Sequence, residues 1–149
     1  MSGGVPFGEE IAISIAMTAV TVFFHAIVIS GLAAAFRATT SPVWGPMRFV
    51  RDSAMLSLES LILMAAHAVE VVAWAYLFML IGAFETAEQA FYFASVGYTT
   101  LGFGDILLPD EWRILAGVIA SNGLLLFGLS AAFLLESASR LRIGDNRAG

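Results

Sequence analysis

The residues whose types and spacing most clearly indicate a chemical role form the short stretch Thr99–Asp105, in which Gly102 and Gly104 alternate with apolar residues. Glycine adopts backbone conformations that other residues avoid, so successive carbonyl groups can point the same way. A ring of such carbonyls can replace the hydration shell of a cation. The aromatic-rich stretch 87–99 predicts a short helix before it, whose negative C-terminal end favours a cation there. The pattern therefore predicts a cation site formed by main-chain oxygens.

A second group of chemically capable residues lies inside an otherwise apolar run. His67 and Glu70 are three residues apart, so on a helix they share one face. Histidine titrates near physiological pH, and an ionisable residue within a membrane usually has a partner or a role. The pair could sense protons or bind a metal, together with His25 from an earlier run. The alternative is a buried hydrogen bond between helices, which the sequence favours because polar pairs are common between membrane helices.

The elements that carry these residues belong to a membrane protein. Of the 149 residues, 59% are hydrophobic and only 13% are charged, and the mean hydropathy is +0.86. A soluble domain is nearer half apolar and a quarter charged. This composition excludes a soluble enzyme, a nucleic-acid-binding protein and a disordered chain. The absence of cysteine excludes disulfides and thiolate metal sites.

Three apolar runs are long enough to cross a bilayer, at about residues 11–36, 55–84 and 112–135. The connector 37–54 contains Pro and Gly, and it predicts either an interfacial segment or an irregular loop. Three of the seven arginines lie in this connector and three lie near the C-terminus. Arginine-rich segments stay in the cytoplasm, which predicts a cytoplasmic C-terminus and an outer N-terminus. The first span lacks repeated arginines, which excludes a voltage sensor, and we expect it to be a peripheral helix.

At the glycine-containing stretch the chain resembles the potassium-channel pore family. Thr99–Asp105 reads Thr-Thr-Leu-Gly-Phe-Gly-Asp, close to the family signature Thr-Thr-Val-Gly-Tyr-Gly-Asp. Residues 91–98 resemble the pore helix, and residues 123–128 resemble the inner helix of bacterial two-span channels. The resemblance covers about residues 55–138, and the three-span layout is similar to that of small bacterial ion-channel proteins.

The resemblance implies roles for individual residues. Main-chain oxygens of five residues would form the selectivity filter: Thr100, Leu101, Gly102, Phe103 and Gly104. K⁺ would bind at the first four of these. Three residues would support the filter: Thr99, Tyr92 and Asp105. Tyr92 would form a hydrogen bond with Asp105. Gly123 and Gly128 would act as gating hinges.

Among the other polar residues, Asn122 allows two interpretations, and three acidic residues would act through their charge. Asn122 could line a water-filled cavity below the filter, or it could bond a neighbouring helix, and the sequence does not separate the two. Asp105, Asp110 and Glu111 would give the outer mouth an acidic character that attracts cations.

The expected fold is therefore an all-α membrane protein with three transmembrane helices, a re-entrant pore helix and a filter loop, assembled as a homotetramer because a carbonyl filter needs four loops. The chain divides into residues 1–36 with the first helix, the basic connector 37–54, the pore module 55–138 and a cytoplasmic tail 139–149. We expect it to cross the cell (inner) membrane several times.

The expected function is passive, K⁺-selective conduction. A non-selective cation channel and a non-conducting accessory or scaffold protein with a pore-like fold are the alternatives. No nucleophile–base pairing or nucleotide-binding loop is present in the sequence, so we expect no enzymatic activity. We expect no cofactor other than K⁺ in the filter, and membrane lipids and further copies of the chain as partners, without nucleic acid or a soluble partner.

Overall fold

The computed structural model describes residues 7–38 and 46–146, and these ranges consist mainly of four α-helices. The helices are α1 (Phe7–Ala38), α2 (Pro46–Leu80), α3 (Ala87–Tyr98) and α4 (Arg113–Asn146), with a 3₁₀ turn at Asp110–Trp112 before α4. The expected N-terminal residues 1–6, the part 39–45 of the connector and residues 147–149 of the tail lie outside the described residues.

Three of these helices are long and apolar enough to cross a membrane. The spanning stretches are Phe7–Arg37, Met47–Leu80 and Asp110–Leu141. Each exceeds the roughly 20 residues that a helix needs to cross the hydrocarbon core. The chain is therefore built as a membrane protein, and its number of spans agrees with the sequence prediction.

The helices extend beyond the boundaries that the sequence suggests. Helix α2 begins at Pro46, so residues 46–54 of the expected connector are helical. Proline is tolerated in the first turn because its missing N–H would have no partner within the helix there. Helix α4 continues through residues 139–146 of the expected tail. The Arg48 guanidinium donates to the Leu141 carbonyl at 2.9 Å, which ties the two extended ends together.

Helix α3 is a short helix packed between α2 and α4. It has 12 residues and is therefore about 18 Å long, too short to cross the bilayer. The Thr86 hydroxyl caps its first turn by accepting from the Gln89 N–H at 3.2 Å. On its buried side, Phe93 contacts Phe78 of α2 edge-to-face, with ring centroids 5.3 Å apart. The largest side chains that are completely shielded within this core are Trp74, Phe78, Tyr98, Leu115, Ile119 and Leu126.

Helix α1 is not a peripheral apolar shield. Its polar residues Glu10, Ser14, Thr21 and His25 are buried and recur at helical spacing on one face. Several of its large apolar residues, such as Phe23, are exposed and point away from the other helices. Neighbouring helices can form hydrogen bonds with polar side chains, whereas lipid tails cannot. Helix α1 therefore packs with its polar face against α2 and α4.

The polar face of α1 also provides a hydrogen-bond acceptor for the first turn of α4. Glu10 Oε1 accepts a hydrogen bond from the Ile114 main-chain N–H at 2.7 Å. The first N–H groups of a helix have no partner within that helix, and a carboxylate there also interacts favourably with the helix dipole. The first span is therefore an integral part of the bundle.

Candidate functional site

The segment that follows α3 has alternating backbone handedness. The angle φ is positive at Thr100 (61°), Gly102 (55°) and Gly104 (77°), but not at Leu101 or Phe103 between them. In an ordinary strand successive groups point to opposite sides, whereas alternating handedness lets neighbouring main-chain groups point the same way. Glycine accepts a positive φ without steric cost. This backbone can therefore present a row of oxygens in one direction, as the cation-site prediction requires.

The first N–H groups of this segment are already bonded to α3. Those of residues 99, 100 and 101 donate to carbonyl oxygens in the last turns of the helix at 3.0–3.1 Å, and Gly102 N–H lies 3.4 Å from the Val96 oxygen. Across residues 7–38 and 46–146, no main-chain donor reaches the carbonyl oxygens of residues 100–104. Free acceptors beside the negative end of a helix create a local environment that favours a cation.

A hydrogen bond braces the far end of the segment. The Tyr92 hydroxyl donates to Asp105 Oδ2 at 2.7 Å, which is the contact expected from the sequence. This hydrogen bond holds the pKa of the Asp105 carboxyl below its usual range, because donation to the charged form favours ionisation. The same bond raises the pKa of the Tyr92 phenol. The exposed carboxylate thus stays negative at the end of the carbonyl row.

The space behind the segment is a largely apolar cavity of about 220 Å³. It lies between α3, the segment and α4, and its lining includes Val96, Thr100, Ile106 and Ala116. Apolar space therefore lies between the segment and α4, and Asp105 is among the residues that line it.

The two glycines of α4 that were expected to be hinges have different surroundings. A β-carbon at Gly123 would lie 1.9 Å from the Tyr98 carbonyl oxygen, whereas a β-carbon at Gly128 would meet nothing within 4 Å. Gly123 therefore allows α3 and α4 to approach closely. Their hinge roles stay predictions.

Asn122 is buried and bonds neighbouring helices. Its Oδ1 accepts from the Thr21 hydroxyl of α1 at 3.1 Å and from the Trp74 indole N–H of α2 at 3.3 Å. Its Nδ2 has no hydrogen-bond partner among the described residues. Of the two readings left open by the sequence, this geometry favours the inter-helix bond over the cavity lining.

A larger polar network is buried at the centre of the bundle. It joins residues of all four helices, and we call it the buried ring: His25, His67, Glu70, Tyr98 and Ser130. Glu70 Oε1 lies 2.8 Å from His25 Nδ1, and Glu70 Oε2 lies 3.2 Å from His67 Nδ1. The Tyr98 hydroxyl donates to Glu70 Oε2. The Nε2 atoms of both histidines lie 3.0 Å from Ser130 Oγ.

The ring contains a set of atoms with metal-ligand character. One ligand atom from each of His25, His67 and Glu70 lies within 4.8 Å of the others, and two histidines with a glutamate can bind zinc. However, all four imidazole nitrogens already face Glu70 or Ser130 at hydrogen-bonding distance. Hydrogen bonds account for this arrangement, and we assign no metal to it.

Two members of the ring were not anticipated from the sequence. Tyr98 was considered only as a pore-helix aromatic residue, and Ser130 was not considered. A signal for Ser130 exists, because Asn122, Ser130 and Ser137 recur at intervals that place them on one face of α4. The tyrosine carries no comparable signal, since a tyrosine in an aromatic-rich helix is usually packing.

The all-helical architecture with three membrane-length helices fits a membrane channel. The sequence profile of the family described as ion channel matches residues 64–140, just over half of the chain, and the protein belongs to this family. The matched region runs from within α2 through α3 and the alternating segment into α4. No curated protein and no solved structure matches the chain.

Proposed function

We propose that the protein is a homotetrameric channel that conducts K⁺ passively through a filter formed by the carbonyl oxygens of Thr100–Gly104 from four chains. One observation carries this proposal: the sign of φ alternates along the segment, while the N–H groups of residues 100–102 bond back to α3 and the segment's carbonyl oxygens receive no main-chain donor in the described ranges. Such oxygens can replace the water ligands of a permeating cation.

The exposure of the segment supports assembly around an axis. In the single chain the side chains of Leu101 and Phe103 are 61% and 66% exposed. Irregular backbone at membrane depth is tolerated only inside protein or beside water. Four copies related by a rotation that closes would cover these side chains and surround one water-filled path. The half-length α3 would then be the re-entrant pore helix.

The choice of K⁺ rests on the resemblance of Thr99–Asp105 to the potassium-channel signature. The acidic residues near the segment, Asp105, Asp110 and Glu111, support cation conduction because clustered negative charge raises the local cation concentration. The arginine distribution orients this mouth toward the outside of the cell.

Purified protein in liposomes provides the test. With K⁺ on one side and Na⁺ on the other, we expect a current that reverses close to the K⁺ equilibrium potential. A reversal near zero would instead identify the non-selective cation channel, and a lack of flux from correctly folded tetramers would favour the accessory protein. The mass of the complex in detergent should correspond to four chains.

A further inference from the structure

We propose that the buried ring positions the ion-binding segment through Tyr98, and that it does so only while it holds one shared proton. The inference rests on the proposed function of Thr100–Gly104 as the filter. It assigns Glu70, His25 and His67 as positioning residues, which act on the filter through a neighbour and do not touch the ion.

The ring is connected to the filter through the end of α3. Tyr98 is the last residue of that helix and lies just before the alternating segment. Its side chain is fully buried, and its hydroxyl bonds Glu70 of α2. Because the N–H groups of residues 100–102 bond to the last turns of α3, a displacement of that end also displaces the beginning of the carbonyl row.

The number of hydrogens in the ring follows from its geometry. Five contacts close the ring: His25 Nδ1 to Glu70 Oε1, Glu70 Oε2 to the Tyr98 hydroxyl, the Tyr98 hydroxyl to His67 Nδ1 at 2.9 Å, and each Nε2 atom to Ser130 Oγ. Each contact needs one hydrogen. The two hydroxyl groups and two neutral imidazoles supply four hydrogens. The fifth is the shared proton, which is carried by Glu70 or by one of the imidazoles.

This state has no net charge, whichever of the three residues carries the shared proton. Loss of the proton leaves a buried carboxylate without a counter-charge and one contact of the ring without a hydrogen. Gain of a second proton leaves a buried cation. Both changes are costly in a bundle interior. Tyr98 should therefore be held best at intermediate pH, with a loss on each side.

The groups that face the ring are few. Helix α1 contributes His25, α2 contributes His67 and Glu70, and α3 contributes Tyr98. From α4 come Ser130, which does not titrate, and the Phe127 ring, whose centroid lies 4.1 Å from that of His67. Another buried carboxylate of α2, Glu59, lies about 16 Å along the helix from Glu70, and it provides a matched control.

The first experiment measures K⁺/Na⁺ selectivity in liposomes from about pH 4 to pH 9, where carboxylates and imidazoles titrate. Wild type should be most selective at intermediate pH. Glu70→Gln, which keeps the side-chain size but removes the charge, should give a flat profile. Glu59→Gln should follow wild type. The same bell-shaped profile in Glu70→Gln, or a flat profile in wild type, would overturn the proposal.

The second experiment does not depend on conduction. Amide hydrogen exchange of residues 99–102 is compared at one pH in wild type, Tyr98→Phe and Thr21→Val. The Thr21 substitution removes a hydrogen bond between helices that does not involve α3. We expect exchange about tenfold faster in Tyr98→Phe only, as for a lost hydrogen bond to a charged group. Equal exchange in all three proteins would overturn the positioning role.

These two experiments separate the inference from the proposed function. If wild-type protein conducts no ions, the proposed channel fails, while the exchange comparison still tests whether the ring holds the segment. If Tyr98→Phe does not fold, exchange in Glu70→Gln tests the same contact, because that substitution weakens the bond to the tyrosine and keeps its hydroxyl.

Discussion

The α-carbon of Gly123 in α4 faces the main-chain carbonyl of Tyr98 in α3, so closely that a β-carbon at position 123 would lie 1.9 Å from the carbonyl oxygen and 2.8 Å from its carbon. The absence of a side chain therefore sets the distance between the two helices. Small residues serve this purpose widely between membrane helices. The contact bears on the proposed function because Tyr98 ends α3, two residues before the proposed filter begins at Thr100.

Gly123→Ala should destabilise the protein, because α3 must move away to admit the methyl group. Overpacking of this kind costs about 1–3 kcal/mol, measurable as a lower melting temperature in detergent. Gly128→Ala is the control on the same helix, since its β-carbon would meet nothing within 4 Å. Equal melting temperatures for the two variants would contradict the assigned packing role.

Gly102→Ala and Gly104→Ala should each lower K⁺ flux at least about tenfold, because their positive φ is strained for alanine and the carbonyl row depends on it. Gly82 also has a positive φ, 69°, but lies in the turn between α2 and α3. All three substitutions should lower the free energy of unfolding by about 1–2 kcal/mol, but Gly82→Ala should retain K⁺ flux. Unchanged K⁺ flux in Gly104→Ala would remove the filter assignment.

Tyr92→Phe should make conduction more sensitive to acid. The Tyr92 hydrogen bond keeps the pKa of Asp105 below its usual range, so the carboxylate normally stays charged to lower pH. Without the hydroxyl its pKa rises toward the ordinary value, and neutralisation on acidification begins at a higher pH. When the pH is lowered, conductance should thus begin to fall at a higher pH in Tyr92→Phe than in wild type. Tyr76→Phe, at an exposed tyrosine of α2, should follow wild type, and coincident curves for all three would exclude the effect.

Glu111→Gln should reduce conductance at low salt more than Asp110→Asn does. Asp110 forms an ion pair with Arg113 at 2.8 Å, which offsets its negative charge, whereas no ion pair of Glu111 is found within the described residues. Both effects should vanish at high salt, because the Debye length is only about 3 Å at 1 M. Conductance measured at two salt concentrations tests this, and a loss that does not depend on salt would indicate a structural role instead.

The sequence alone determined the features that depend on composition and local conformation. The three spans follow from runs of apolar residues, and the short helix follows from the aromatic stretch that ends at Tyr98. Two of the three positive φ angles in the alternating segment follow from Gly102 and Gly104, because glycine adopts a positive φ readily. The positive φ of Thr100 does not follow from its residue type. The pair His67–Glu70 was also accessible, since residues three apart share a helix face whatever surrounds them.

Only the tertiary structure decided which helix faces meet. The meeting of His25, Tyr98 and Ser130 at Glu70 depends on how each helix is rotated about its axis. The sequence of a span that is apolar on nearly every side does not indicate that rotation, because it has no distinct polar face. The packing role of Gly123 and the burial of Asn122 were undecided for the same reason. Hydropathy determines that a helix enters the membrane, whereas the shapes and polar groups of its neighbours determine the direction in which its side chains point.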